Sequence, residues 1–384
     1  MAAPGNAAIS ILLEPSKGSG PVATNALLAA MLRAHDQVSD LIFSPGRLPQ
    51  VEVNGKLLTV EGSGLRPLTA DDTRHIASDL IGNNKQAINM LREQGSCDIS
   101  YGLPGLARFR VNVFIQRGSC AVVMRVIPTA VPHLAALSLP SQLAETANLR
   151  DGIVLVTGPR GSGKSSTLAA LLDLINQQQV CHIITIENPI EFLHNHKRAT
   201  VHQRELHSDT PSIPLALRAA LRQAPNVILV SELVDRETFE MMLEAAETGH
   251  LVLSSLNTVD ATKTLERITG MFPASEQAAI RGRLAKSLRW IISQRLIPRR
   301  DARGRVPVVE ILKVHPRTLE GWKGNTSARQ TLLRAMKDGA NDGMQHFDGE
   351  IEKLVRAGVV DPETAITHAT DPDKLQQALA DLKL

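Results

Sequence analysis

Ile153-Val154-Leu155-Val156-Thr157, running directly into Gly158-Pro159-Arg160-Gly161-Ser162-Gly163-Lys164-Ser165, decides how this chain is read. A short apolar strand meets the pattern GxxxxGK[ST], and a helical run from Ser165 to Leu174 follows, the setting in which the pattern carries meaning. Glycines in the loop let backbone N–H groups converge on phosphate oxygens, Lys164 can reach the β and γ oxygens, and Ser165 can hold Mg²⁺. The helix N-terminus adds a favourable dipole. The nucleotide-binding set is therefore Gly158, Gly161, Ser162, Gly163, Lys164, Ser165 and Ser166, with ATP and Mg²⁺ as ligands. The chain reads as a P-loop ATPase.

Outward from the loop, short apolar runs alternate with helical patterns: Ile183 to Ile186, Val227 to Val230 and Leu251 to Ser255. Strands this apolar are buried on both faces of a parallel sheet, so residues 149–315 are expected to form a RecA-like α/β domain. From 316 to 384 the pattern is helical. Upstream, Pro128, Pro132 and Pro140 mark a linker over 128–148. Residues 22–127 read as a small mixed α/β domain. It contains a helix from Thr24 to Ala34, an Asn54-Gly55 hairpin, one or two helices from Asp71 to Gln94 broken near Gly82, and two strands joined at Gly118. Residues 1–21, rich in Ala, Gly, Ser and Pro, read as a flexible leader.

Composition bounds the rest. The 384 residues carry 42 basic and 39 acidic side chains, too balanced for a general affinity for nucleic acid. Arg281, Arg283, Lys286 and Arg289 form a local basic cluster in a long amphipathic helical run, read as a solvated face. Cys97, Cys120 and Cys181 lie far apart without a CxxC pair, which indicates neither a disulfide framework nor a zinc site and fits a reducing cytoplasm. No apolar run approaches the ~20 residues that span a bilayer. The expectation is a soluble, cytoplasmic protein able to dock at the inner face of the membrane.

Three residues beyond the loop are candidates for the chemistry. Glu232 follows Val227-Ile228-Leu229-Val230-Ser231, where an acid can activate water, or alternatively cap the helix near Asp235. Glu187 follows Ile183-Ile184-Thr185-Ile186, with Glu191 four residues on; either can face the magnesium shell or simply solvate a strand end. His250 sits between a helical run and a core strand, as a phosphate sensor or a helix-end cap.

Taken together, the loop, Ile184-Thr185-Ile186-Glu187-Asn188-Pro189-Ile190-Glu191-Phe192, Gln203-Arg204-Glu205, the run from Ala219 to Val230, and Ala246-Glu247-Thr248-Gly249-His250-Leu251 resemble the pilus-retraction ATPases of type IV pili, the twitching-motility PilT and PilU group of the secretion ATPase superfamily. The resemblance runs from about Asn25 into the tail, where Gly343-Met344-Gln345-His346-Phe347-Asp348 also matches. It implies a PAS-like N-terminal domain, a RecA-like motor domain, a homohexameric ring with ATP bound between subunits, and a partner at the inner-membrane pilus or secretion platform. It also implies that Glu187 is the acidic-box glutamate, Glu232 the Walker B glutamate and His250 the first His-box histidine. Arginines of the N-terminal domain are then expected to reach a neighbouring subunit's nucleotide. Alternation along Arg108 to Ile115 puts Phe109, Val111, Val113 and Ile115 on one face and Arg108 and Arg110 on the other, and Arg110 and Arg125 are the favoured pair.

Departures from the family pattern bear on hydrolysis. Asn188 and Asn226 stand where aspartates are usual, Asn257 where a second histidine is expected, Arg160 in place of a threonine and Ser166 in place of another. Each asparagine keeps hydrogen-bonding capacity but loses a titratable group. Two alternatives to an independent retraction motor follow: a weakly hydrolysing paralogue that joins a ring as a regulatory partner, and a pilus assembly or type II secretion ATPase. The absence of a four-cysteine zinc insertion favours retraction over assembly.

Overall fold

The computed structural model describes residues 8–11, 23–62, 64–128, 130–314, 318 and 328–380. The chain divides into two compact units, Met1–Ala130 with Glu191–Leu193, and Val131–Ile190 with His194–Leu384.

The first unit is a seven-stranded sheet in the order β1-β4-β3-β2-β7-β6-β5 with helices packed on it. Its strands are β1 (Ala8–Ile11), β2 (Val38–Phe43), β3 (Gln50–Val53), β4 (Lys56–Gly62), β5 (Ser96–Leu103), β6 (Ala107–Gln116) and β7 (Ser119–Ile127). Asn54 and Gly55, at φ 52° and 76°, make the tight β3–β4 turn that the Asn-Gly pair predicts. Helix α1 (Thr24–Arg33) buries Leu27, Leu28 and Met31, one stripe at helical spacing. The stretch from Asp71 to Gln94, expected as one or two helices broken near Gly82, is two, and Gly82 ends the first. A Thr69/Asp72 capping box opens α2 (Ala70–Ile81), Asn84 caps α3 (Lys85–Gln94), and Gly95 in the left-handed region ends it.

Two features of this unit depart from the sequence reading. Ala8–Ile11, expected within a featureless leader, pairs in parallel with β4 from Ala8↔Thr59 to Ile11↔Gly62. A four-residue run is too short to show a period, but it finds an open sheet edge. The rest of the leader lies outside the described residues. Alternation along β6 also stops short, because Phe109, Val111 and Val113 are fully buried while Ile115, near the hairpin tip, is 44% exposed.

The second unit is built on a sheet in the order β10-β9-β11-β12-β8-β13-β14, parallel except for the β13–β14 hairpin. Its strands are β8 (Gly152–Thr157), β9 (His182–Glu187), β10 (Thr200–Glu205), β11 (Val227–Val230), β12 (Leu251–Leu256), β13 (Leu288–Pro298) and β14 (Arg305–Lys313). Helices α4 (Lys164–Gln178), α5 (Ile213–Ala220), α6 (Arg236–Glu247), α7 (Ala261–Thr269) and α8 (Ala274–Ser287) connect the parallel strands and cover the sheet. Strand β8 is buried at every position: Ile153 and Leu155 belong to one apolar layer, Val154 and Val156 to the other. Burial on two faces is why the strand reads as an unbroken apolar run.

The basic run does not continue as one helix through Arg289. Helix α8 ends at Ser287, and Arg289 lies on β13 among the buried Leu288, Trp290, Ile291 and Ile292. Beyond β14 the described residues form α9 (Ala328–Asp338), α10 (Phe347–Arg356), α11 (Pro362–His368) and α12 (Pro372–Ala380). Phe347, Ile351, Val355, Leu375 and Leu379 close over Ile297, Val306 and Val308 of the hairpin.

The proline-marked segment 128–148 is not a free linker along its length. Ser141–Asn148 is a 3₁₀-helix, and Leu139, Leu143 and Ala147 are buried in the layer that also holds Val154 and Val156. These three residues recur every fourth position, an apolar stripe that the flanking prolines obscured. Leu143→Ala is therefore expected to lower stability by about 2–5 kcal/mol, read as a lower urea midpoint for loss of Trp290 emission; a free linker would show no change.

Candidate nucleotide site

Strand β8 ends at the phosphate loop. Gly158, Gly161 and Gly163 have φ of 150°, 75° and 90°, and Gly163 is the N-cap of α4. The Lys164 ammonium donates to the carbonyls of Gly158 and Pro159 at 2.9 and 3.0 Å, within the loop itself. Ser162 is 3% exposed, and its hydroxyl is a buried polar group with no protein partner among the described residues. Ser165 and Ser166 are half-buried in the first turn of α4. A buried orphan hydroxyl, a lysine against loop carbonyls and a helix N-terminus form a set suited to a polyphosphate and its metal.

Parallel strands of the same sheet end on the same edge as β8 and bring further groups to it. Glu187, the last residue of β9, accepts from the Thr185 hydroxyl at 2.6 Å and from the Gln203 amide at 2.9 Å. Glu232 follows β11 and accepts a short hydrogen bond from the Asn257 amide beyond β12. The helix-capping alternative for Glu232 does not hold, because Asp235 caps α6 through the Thr238 N–H at 2.8 Å. The strand ends are tied together: Ser231 N–H donates to the Ile186 carbonyl at 3.0 Å, Ser255 hydroxyl to the Ser231 carbonyl at 2.5 Å, and Gly158 N–H to the Leu256 carbonyl at 3.2 Å. Glu187, Glu232, Asn257 and the loop thus line one edge in the strand order β9-β11-β12-β8. Carboxyl ends of parallel strands are where ligands bind in such sheets.

His250 is not brought there. It precedes β12, about 20 Å along the strand from Asn257, and its Nδ1 lies 2.9 Å from the Ala245 carbonyl at the end of α6. The helix-end cap is the reading its position supports. Glu191 is exposed and groups with the first unit.

In the first unit Arg110 and Arg125 are direct cross-strand neighbours on β6 and β7. Opposed like charges destabilise a sheet. Here carboxylates offset them: Arg125 donates to the buried Asp40 at 2.9 Å, and Arg110 lies 3.9 Å from Asp98. Both guanidinium groups remain more than half exposed, which leaves donors for an anion.

A family model described as type II/IV secretion system protein matches residues 98–349. The chain belongs to this family. The twitching motility protein of Neisseria gonorrhoeae is 39% identical over 327 residues, 85% of this chain and 86% of that protein. The type IV pilus retraction ATPase PilT of Pseudomonas aeruginosa is 40% identical over 340 residues, 88% and 96% of the two chains. A crystal structure of the pilus retraction motor PilT with bound ADP superposes with a TM-score of 0.75 at 38% identity, covering 88% of this chain and 95% of that one.

Within this secretion-family chain the basic cluster on α8 and β13 carries paired charges, Arg283 with Glu247 at 2.6 Å and Arg289 with Asp151. No described helix is long and apolar enough to cross a membrane. Sequence reasoning assigned no role to the polar pair Ser293-Gln294, whose visible signal is two hydrogen-bonding side chains inside the apolar run from Leu288 to Ile297. Ser293 accepts from the Thr157 hydroxyl at 3.0 Å and bonds the Glu310 carboxylate, which accepts from the Ala261 N–H at 2.9 Å. A buried polar chain thus leads from the residue before the loop to the first turn of α7.

Burial pushes the Glu310 carboxyl up to about 7, with Asp260 adding to the rise, while the Ala261 N–H, Arg295 and Ser293 oppose it. Unfolded, the group ionises in the ordinary carboxylate range, so below about 7 the folded chain holds a proton that the unfolded chain has lost. Stability therefore falls as pH rises through that window. Glu310→Gln, neutral throughout, is expected to gain on wild type by on the order of 2–3 kcal/mol between about pH 5 and about pH 8, measured by urea unfolding at both; an equal difference at the two would refute this.

Proposed function

We propose that this chain is an ATP-hydrolysing ring motor that retracts a type IV pilus. The observation that carries the reading is the edge where Glu187, Glu232 and Asn257 stand in register with the phosphate loop, in a chain that shares 39–40% identity with retraction and twitching-motility proteins over most of its length. Lys164 and the loop N–H groups would hold the phosphates and Ser165 would hold Mg²⁺, which when bound would neutralise phosphate charge; Thr185 and Gln203 orient the Glu187 carboxylate, which would serve the metal's water ligands. Glu232 draws the proton from the attacking water, held in place by Asn257. Arg110 and Arg125, supplied by another copy of the chain, stabilise charge on the transferred phosphoryl group. The working form is a homohexamer in the cytoplasm, docked on an inner-membrane platform, and hydrolysis drives its conformational cycle.

Asn257 favours one second reading. An amide cannot take up a proton as an imidazole can, so a slow hydrolase that shares a ring with a faster paralogue also fits this site.

Steady-state turnover separates the two. Glu232→Gln is expected to lower ATP turnover by about 100-fold or more while Mg·ATP affinity stays within about threefold, and Lys164→Ala is expected to lose binding itself. Wild-type turnover no faster than that of Lys164→Ala would leave only the regulatory reading. In the cell, deleting the gene is expected to give over-piliated cells that do not twitch; bare cells would instead indicate assembly.

A further inference from the structure

Gln294 lies on β13, the strand next to β8, and is 2% exposed. Its amide spans two parts of the nucleotide site. Nε2 donates to the Ser162 carbonyl at 2.7 Å, and Oε1 accepts from the Thr167 hydroxyl, in the first turn of α4, at 2.8 Å. Its main chain is as close: a Cβ on Gly158 would lie 2.3 Å from the Gln294 carbonyl oxygen, and one on Gly163 would lie 2.8 Å from Nε2. At Gly158 the clash is with backbone and excludes a side chain, whereas at Gly163 a side chain would have to push the Gln294 amide aside. Gly158 is therefore required by the approach of the Gln294 main chain, independently of any phosphate, and Gly163 leaves the room that the Gln294 amide occupies.

The peptide between Ser162 and Gly163 turns this contact into a statement about the site. In a planar trans peptide the carbonyl and the N–H point in opposite directions. Holding the Ser162 carbonyl on Gln294 turns the Gly163 N–H away from β13. The Ser162 carbonyl, an acceptor only, fixes which way the amide lies, because a flipped amide would set oxygen against oxygen; the fully buried Thr167 hydroxyl then holds the amide in place by donating to Oε1. We propose that Gln294, locked by Thr167, is a positioning residue that presets the Gly163 N–H to donate to a nucleotide phosphate. A donor already oriented needs no reorganisation when the anion arrives, whereas a carbonyl swung the other way would present its negative end. The proposal rests on the ATP-binding reading of the loop.

Full-length Gln294→Ala and Thr167→Val test it with two measurements: deuterium uptake by the peptide covering residues 158–165 in nucleotide-free protein, and equilibrium binding of a fluorescent ATP analogue with Mg²⁺. Each variant is expected to exchange its loop amides on the order of tenfold faster and to bind the analogue on the order of tenfold more weakly. The double variant should be little worse than either single one, as for two groups acting through one contact. Thr167→Ser, which keeps the hydroxyl, should restore both values. A merely structural role would lower the thermal midpoint but leave the affinity of the folded protein unchanged. Wild-type affinity or wild-type loop exchange in both folded variants overturns the proposal. Failure of wild type itself to bind the analogue overturns the ATP reading and the positioning with it, and is distinct from the case where wild type binds and the variants match it.

Discussion

Strand β8 is held between two apolar layers, with Ile153 and Leu155 on one side and Val154 and Val156 on the other. Each side chain contributes about 1.5–3 kcal/mol by leaving water, and a shift of one residue would exchange the two sets between layers. The strand therefore has one register and one place for its carboxyl end. Everything functional is measured from that end. The loop starts where the apolar run stops, because backbone that no longer pairs on both sides must find other partners, and phosphate oxygens are suited to its N–H groups.

A parallel sheet divides its two edges by chemistry. At the carboxyl edge, β9, β11 and β12 deliver Glu187, Glu232 and Asn257 to one line beside the loop. At the amino edge, His250 bonds the end of α6, and Asn226 pairs with His182 through both main chain and side chain. Residues seven apart, such as His250 and Asn257, thus face different tasks although both flank the same strand. Positions along a motif say little about shared function until the strand between them is counted.

The apolar runs, the hairpin turn and the loop were legible because each is a local pattern with a local cause: two-faced burial, a left-handed turn, a phosphate nest. What escaped was what depends on pairing. β1 is four residues long and exists through β4. The stripe at Leu139, Leu143 and Ala147 was hidden by prolines that suggested a linker. The step from helix α8 to strand β13 was missed because Arg281 to Arg289 keeps a helical charge spacing, while Leu288 and Trp290 are drawn into the sheet by β8. At the site, the carboxylates could be named from the strand ends, but Gln294 could not, since its partners lie 132 and 127 residues away.

The three asparagines that cast doubt on hydrolysis do not carry equal weight once they are placed. Asn226 lies at the amino end of β11, with the whole strand between it and Glu232; its carbonyl accepts from Leu251 at 3.0 Å and its side chain accepts from the His182 N–H at 2.9 Å. An aspartate there would serve the same bond, so the lost charge is remote from any phosphate. Asn188 reaches the edge through its backbone, whose N–H donates to the Ser231 hydroxyl at 3.2 Å, a bond that does not depend on the side chain. Asn257 alone touches a residue assigned to the chemistry. Its amide can orient Glu232 by donating to the carboxylate, but it offers no second group to relay the proton onward. Of the three asparagines, then, only Asn257 stands where a lost imidazole bears on the proposed chemistry.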